Sequence, residues 1–430
     1  MVSGTEARMT EYQTGTPATS PPGGAEGQAH FTAAILQATL NARKVTAMVS
    51  LAWDGPQVWA FACSLGLGED PRNVERLGPA LALAAGAEAC RVARDSGRLI
   101  LELPKPPADR KPLRAARLEA LTAPSPTACA IGLATGGRVQ WLDISDPNTP
   151  HLLIAGTTGS GKSVALHWLL YRLARQNDPA SLRMIALDPK RGELRPFAQL
   201  PHLLHPVASN PLEMASLLSW ATAELDRRLD SGQRAPRLVI VAEELADLAK
   251  VAPEAMGAIA RIAQVGRGCG VHIIGVTQQP GARSLGDALA NFPARLLGRV
   301  ASATLTYGAA GKGRTEAHNL LGKGDMLLIR NDGVTRLQVP LIDGRQYGQL
   351  PRSAAVASLA EELPAVAYVA DLARDPRGGN GRRELTTADY VAITADLETG
   401  ASPDDLRDRY GIGYPRARRL WANYHGESET

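Results

Sequence analysis

From His30 to Ala42 apolar residues recur at every third or fourth position, the spacing that turns one face of a helix toward a core. The period then changes. Ala47-Met-Val-Ser-Leu-Ala-Trp53 and Gln57-Val-Trp-Ala-Phe-Ala-Cys63 read as two strands turning at Asp54-Gly-Pro56. Asn73 to Ala85 returns to a helical period, and Ala89-Cys-Arg-Val-Ala93 with Arg98-Leu-Ile-Leu-Glu-Leu103 makes a second strand pair around Asp95-Ser-Gly97. This pattern predicts a small α+β domain over residues 30–107, ended by Pro104-Lys-Pro-Pro107. A linking helix follows from Pro112 to Leu121, and then strand-like runs at Ala128–Ala134 and Arg138–Asp143.

Beyond residue 150 the pattern is different again. Short, mainly apolar runs, His151–Ala155, Arg183–Asp188, Leu238–Ala242 and Val271–Val276, alternate with amphipathic stretches at Val164–Ala174, Leu212–Leu229 and Pro253–Gln264. Strands apolar on both faces, spaced by helices, predict an α/β fold with a parallel sheet covered on both sides, over residues 108–350. Two segments lack such periodicity. Residues 1–29, with Thr16-Pro-Ala-Thr-Ser-Pro-Pro-Gly-Gly24, are expected to be a disordered tail, and residues 351–383, with Asp375-Pro-Arg-Gly-Gly-Asn-Gly381, a linker. Residues 384–430 read as short helices in which Ser402 caps one, Gly411-Ile-Gly413 turns the chain and Tyr414–Trp421 forms the next, a helix-turn-helix pattern.

Length and composition narrow the reading. A chain of 430 residues accommodates two or three domains with their own cores. Lys and Arg total 47 against 43 Asp and Glu, so a nucleic-acid contact would have to be made by a local basic surface. The four cysteines are scattered without C-x-x-C spacing, which predicts reduced thiols and no structural metal. No signal-peptide core and no run of eighteen apolar residues occurs, so the expected location is the cytoplasm.

The candidate chemistry begins where the first parallel strand ends. Gly156-Thr157-Thr158-Gly159-Ser160-Gly161-Lys162-Ser163-Val164 fits G-x-x-x-x-G-K-[ST] between a strand and a helix. Its glycines let backbone N–H groups curl around phosphates, Lys162 reaches the β/γ oxygens, and the Ser163 hydroxyl ligates Mg²⁺, so ATP and Mg²⁺ are the expected cofactors. Such a site needs acids at the end of a neighbouring strand. Glu243 and Glu244 follow Leu238-Val-Ile-Val-Ala242, with Glu243 expected on the Mg²⁺ side, where aspartate is usual, and Glu244 polarising the attacking water. Gln278, ending the next strand in Thr277-Gln278-Gln279-Pro280, is the candidate γ-phosphate sensor; Asp188, Lys190 and Glu193 are expected in the same cleft without an assigned role. Arg267, Arg295 and Arg299 are candidates for a guanidinium supplied to a neighbouring subunit, with Arg299 preferred.

With these residues in place, the chain resembles the motor of the FtsK/SpoIIIE family of double-stranded DNA translocases. Pro150–Val164, Asp188-Pro-Lys-Arg-Gly-Glu193, Leu200-Pro-His-Leu-Leu204, Glu224-Leu-Asp-Arg-Arg228, Glu244-Leu-Ala-Asp-Leu248, Gly270-Val-His272, Thr277-Gln278 and Leu321-Gly-Lys-Gly-Asp-Met-Leu327 are similar to family segments, in the same order. The resemblance implies a RecA-like P-loop ATPase core and a homo-oligomeric ring, expected to be a hexamer, with duplex DNA in its pore. It further implies that the small α+β domains form a second ring on top of the ATPase ring. DNA contacts would come from Arg283, Lys312 and Arg314 on loops after the sensor strand.

At the C-terminus, Ile412-Gly-Tyr-Pro-Arg-Ala-Arg-Arg-Leu420 resembles the recognition helix of the family's DNA-reading winged helix, which implies Arg416, Arg418 and Arg419 toward phosphates or bases, with the wing expected to be absent. The chain departs from the family at Gln279, where arginine is common, and at Leu305-Thr-Tyr-Gly308, where Asp-Ser-Arg-Thr is usual, and the membrane-anchoring segment of the septal members is expected to be missing. The expectation is a short motor without a transmembrane segment of its own, working with a membrane or transfer-machinery partner. Its expected role is to move DNA of a conjugative or integrative element of GC-rich Gram-positive bacteria, or to partition a chromosome. A type VII-like protein-secretion ATPase and a DNA-binding regulator with weak ATPase are the alternatives.

Overall fold

The structure, a computed structural model, describes residues 25–95, 97–251, 253–279, 286–310, 315–359, 393, 396–397 and 399–424. Arg283, Lys312, Arg314, nearly all of the expected tail and most of the expected linker lie outside these residues.

The first sheet has four antiparallel strands in the order β1-β2-β4-β3, with β1 at Ala47–Asp54, β2 at Val58–Leu65, β3 at Arg91–Asp95 and β4 at Arg98–Pro104. Helix α1 (Ala25–Ala42) lies over it and buries Ala29, Ala33, Leu36 and Leu40 against Trp59, Phe61, Leu101 and Leu103. It starts at Ala25, so residues 25–29, which composition assigned to the tail, are helical. The single helix expected over 73–85 is two, α2 (Pro71–Arg76) and α3 (Gly78–Ala84). Pro79 is the cause: it has no N–H to give the carbonyl of Glu75, so the chain breaks at Leu77 and restarts with proline in its first turn.

The expected linking helix over 112–121 is also shorter. Only Ala116–Glu119 is helical, here α4. The backbone before it bonds to Leu341 instead: Leu341 N–H donates to Leu113 O and Ala115 N–H to Leu341 O.

The second sheet has nine strands, ordered β6-β5-β13-β12-β11-β7-β10-β9-β8. Its strands are β5 (Ala128–Ala134), β6 (Val139–Asp143), β7 (His151–Ala155), β8 (Leu182–Leu187), β9 (Arg237–Ala242), β10 (Val271–Thr277), β11 (Ala294–Leu297), β12 (Asp325–Arg330) and β13 (Gly333–Gln338). The expected parallel sheet is therefore corrected to a mixed one. β11, β7, β10, β9 and β8 run parallel, while β12, β13, β5 and β6 continue antiparallel. The reason lies in the connections. β12 passes to β13 through Asn331 and Asp332 alone, a link that permits only an antiparallel return.

In the parallel half, alternate residues of each strand serve opposite faces. Leu152 and Ile154 pack with α5 (Lys162–Gln176), whereas Leu153 and Ala155 share a cluster with α6 (Pro211–Ser231) and α8 (Pro253–Val265). Burial on both faces is why these strands are mainly apolar rather than alternating. Helix α7 (Leu245–Val251) follows β9 directly. Later come α9 (Ala303–Ala310), α10 (Gly344–Gly348), α11 (Pro403–Tyr410) and α12 (Tyr414–Tyr424). Ser402 caps α11 in a reciprocal pair with Asp405, and Leu406, Tyr410, Ile412, Ala417 and Leu420 form a separate small core.

Two histidines inside the sheet make acid stability predictable. His151 accepts from Ile273 N–H at 3.1 Å, and the His272 ring pairs with Pro150 O at 3.0 Å. Burial pulls their pKa values down to about 3 and about 4 from 6.5, with His272 adding to the effect on His151 and Arg237 to that on His272. The folded state thus refuses protons that the unfolded chain accepts below pH 6.5, so stability falls as pH drops through that value. At pH 5 the loss relative to pH 7.5 should be about 2 kcal/mol per histidine. Denaturant titrations of wild type and His151→Leu at the two pH values check this, with the variant losing less.

Candidate functional site

The phosphate loop joins β7 to α5, and its backbone explains its residues. Gly156, Gly159 and Gly161 have φ of 146°, 76° and 106°, values that a side chain would strain. Gly161 is the N-cap of α5, so the first-turn N–H groups of that helix, Lys162 to Val164, point into the loop without intrahelical partners. Two contacts fasten the start of the loop to the segment after β11: Thr157 donates through both N and Oγ1 to Arg299 O, at 2.8 and 3.0 Å. Lys162 is buried, and its Nζ sits 3.1 Å from Thr157 O. Burial lowers its pKa, opposed by Glu244, Glu243 and Glu193.

The acids at the end of β9 take different positions. Glu243 lines a cavity of 660 Å³ together with Thr158, Lys162, Ser163, Glu193 and Gln278. Its Oε2 is buried with no partner among the described residues, and burial, with Glu244 and Glu193 adding, pushes its pKa up to about 7. Glu244 has φ of 52°, in the left-handed region, and both oxygens of its carboxylate are engaged. Oε1 accepts from Thr277 Oγ1 and Gln278 N–H, both at 3.0 Å, and Oε2 pairs with Lys190 Nζ at 3.0 Å. A strained backbone held by this many bonds is the pattern expected where geometry is functional.

Gln278 meets the phosphate loop directly, accepting from Thr158 Oγ1 at 3.1 Å. Asp188 caps its own loop, taking Lys190 N–H and Leu194 N–H. Of the arginines, Arg295 gives its guanidinium to the carbonyls of Phe292, Ala309 and Leu289, which removes it as a finger. Arg299 is exposed beside the phosphate loop, and Arg267 is exposed before the start of β10, at the opposite end of the strand from Gln278. On α12, the Arg418 guanidinium stacks over the Trp421 ring, 5.1 Å from its centre.

The cavity's second wall comes from outside these motifs. It is made by Gln57 at the β1–β2 turn, by Pro107, Arg110 and Lys111 after β4, and by Lys323 and Gln338 near β12 and β13. Gln57 and Gln338 both donate to Lys323 O, at 3.2 and 3.0 Å, so the two sheets meet at this wall. Only Lys323 carries a sequence signal, its place in Leu321-Gly-Lys-Gly-Asp325.

The residues present fit Mg²⁺ bound with a nucleotide. Among the described residues no three His, Cys, Asp or Glu side chains gather into a metal site. An orphaned buried carboxylate on Glu243 facing the cavity shared with Ser163 supplies the one or two protein oxygens such an ion takes beside phosphate and water. Among the described residues no helix is long and apolar enough to cross a membrane.

Several known proteins are similar to this chain in sequence or fold. The DNA translocase SftA of Bacillus subtilis is 30% identical over 422 residues, covering 90% of this chain and 43% of that protein. The DNA translocase FtsK of Staphylococcus aureus is 30% identical over 423 residues, covering 90% and 52%. The chain thus spans about half the length of these curated relatives. Among solved structures, the pCW3 conjugation coupling protein TcpA, as a monomer with ATPγS, aligns with a TM-score of 0.50 at 20% identity over 73% of this chain and 96% of that one, a likeness of fold. Residues 114–233 match the FtsK/SpoIIIE family model, and the chain therefore carries an FtsK/SpoIIIE family domain that contains the phosphate loop.

Proposed function

We propose that the chain is an ATP-driven translocase of double-stranded DNA, working in the cytoplasm as a ring with DNA in its pore. The observation that carries the reading is the shared cavity: phosphate-loop N–H groups, Lys162, Ser163 and the unpaired Glu243 carboxylate face one space, with Gln278 at its edge. The relatives named as DNA translocases supply the polymer.

In this mechanism the loop backbone and Lys162 hold the β- and γ-phosphates, and Ser163 with Glu243 holds Mg²⁺. When bound, Mg²⁺ neutralises charge on the phosphate oxygens. Glu244 leaves Lys190 and takes a proton from the attacking water. Gln278, bonded to the phosphate loop through Thr158, senses whether the γ-phosphate is present and passes that state down the chain after β10. Arg283, Lys312 and Arg314 follow β10 and are proposed as sequence-blind phosphate contacts, and Arg416, Arg418 and Arg419 as contacts of a C-terminal helix-turn-helix. Arg299 is proposed to act on the neighbouring subunit's nucleotide. The cargo proposed is the DNA of a mobile element.

The test is ATP hydrolysis by the purified chain with and without linear duplex DNA. Several-fold stimulation that falls as salt rises supports the reading, and hydrolysis indifferent to DNA overturns it. Lys312→Ala with Arg314→Ala should lose most of the stimulation while keeping the DNA-free rate. Lys111 and Lys323, both exposed at the second wall of the cavity, add positive charge where a polyanion would sit. Lys111→Ala with Lys323→Ala is expected to raise the KM for ATP about fivefold with kcat within about twofold, the signature of lost uniform binding.

A further inference from the structure

The phosphate loop is braced from a direction that no nucleotide contact requires. Lys323 N–H donates to Gly159 O at 3.0 Å and Gly324 N–H to Ser160 O at 2.9 Å, so the loop before β12 lies along the phosphate loop. The approach is tight: a Cβ on Gly161 would stand 2.4 Å from Gly324 N. The next residue, Asp325, holds this segment in shape, since its Oδ2 accepts Leu321 N–H at 2.8 Å.

Asp325 is in turn gripped by a buried arginine. Arg336 on β13 reaches it with Nε at 2.8 Å and a terminal nitrogen at 2.7 Å, and its other terminal nitrogen meets Glu102 at 3.2 Å. Glu102 belongs to β4 of the four-stranded sheet, where it also takes Arg91 at 3.0 Å and, from the end of β5, Thr135 Oγ1 at 2.8 Å. Buried ion pairs of this kind are a poor source of net stability, so their use here needs another account.

We propose that Arg336, clamped between Glu102 and Asp325, is a positioning residue for the phosphate loop, by which the four-stranded sheet holds that loop in its nucleotide-ready shape. The chain of contact is continuous: Glu102, Arg336, Asp325, the Leu321–Gly324 turn, and the carbonyls of Gly159 and Ser160. Arg336 does not line the nucleotide cavity and acts only through Asp325. The arginine fork is needed because two carboxylates on different sheets must be held at fixed angles, which a lysine point charge does not do. The proposal rests on the nucleotide-binding reading above for its effect on ATP, but its effect on loop shape stands apart from it.

Two measurements on the full chain separate these. The first is amide hydrogen exchange without nucleotide. Arg336→Met and the milder Glu102→Gln should speed exchange at Lys323 and Gly324 at least tenfold while Ile273 and Ile274, in the middle of the sheet, keep their protection. Unchanged exchange at Lys323 and Gly324 in both variants overturns the proposal, as does exchange that rises equally across the sheet in Glu102→Gln, because that is general destabilisation. The second is titration with a fluorescent ATP analogue and Mg²⁺. Arg336→Met should bind at least tenfold more weakly, Arg336→Lys should recover part of the loss, and kcat at saturating ATP should stay within twofold. Equal binding by wild type and Arg336→Met overturns the proposal. Failure of wild type to bind the analogue overturns the nucleotide reading instead, and the exchange result still decides whether Arg336 shapes the loop.

Discussion

Lys162→Ala is expected to reduce ATP hydrolysis by about 10³-fold or more, to the background of the assay, with or without DNA. The effect follows from where the ammonium is. Its Nζ lies 3.1 Å from Thr157 O, inside the curl of the loop, and burial has already lowered its pKa. A desolvated cation pays nothing further for leaving water when the phosphates arrive, and charge that grows on them in the transition state meets it at low local dielectric. Loss of a single donor aimed at such charge lowers rates by about 10²–10³-fold in other enzymes, and a full positive charge should exceed a neutral donor. The same position predicts the control. Removing an ammonium that burial disfavours should leave the melting temperature of the nucleotide-free protein unchanged or slightly higher, so phosphate release and thermal melting measured together separate lost catalysis from lost fold. A variant that hydrolyses ATP within tenfold of wild type would remove Lys162 from the mechanism.

What the sequence disclosed and what it hid divide along a physical line. Long periodic segments were legible: the helix expected over 212–229 runs from Pro211 to Ser231, and the apolar runs of the parallel half are strands at nearly the expected bounds. Of the antiparallel half, β5 and β6 were legible as the runs at Ala128–Ala134 and Arg138–Asp143, whereas β13 was hidden by its polar residues. Gly333-Val-Thr-Arg-Leu-Gln338 contains Arg336 and Gln338, which interrupt any apolar run, yet both are buried because Asp325, Glu102 and backbone carbonyls answer their donors. The strand Ala294–Leu297 is only four residues long and follows a proline, too short for periodicity to speak. The site divides likewise. Residues of the phosphate loop and the acids after β9 occupy contiguous motifs, whereas Gln57, Arg110 and Lys111 meet Lys323 only through folding, across more than two hundred residues of chain. Each looks alone like an ordinary surface residue.

Glu244→Gln should have the second large effect, and of a different kind: hydrolysis down by about 10²–10⁴-fold, the usual contribution of a general base, with ATP bound as tightly as before or more so. Glutamine keeps a carbonyl oxygen to accept from Thr277 Oγ1 and Gln278 N–H, the two 3.0 Å bonds that fix the end of β10, so the fold should be unaffected. It cannot accept a proton from water, and it removes a negative charge from the edge of a site built for a polyanion. The expected readout is a single round of nucleotide binding with almost no phosphate release, against Lys162→Ala, which loses both. Lys190 supplies the opposite sign. Its side chain is 43% exposed while that of Glu244 is 4% exposed, so the pair can open by moving the lysine into solvent. While it is closed the carboxylate is turned to Lys190 and is unavailable to water. Lys190→Met should therefore raise the DNA-free rate several-fold and shrink the stimulation by DNA, since part of what DNA would do is already done. If Lys190→Met instead lowers the rate as Glu244→Gln does, the ion pair is part of the working site, and Glu244 acts from the position it holds now.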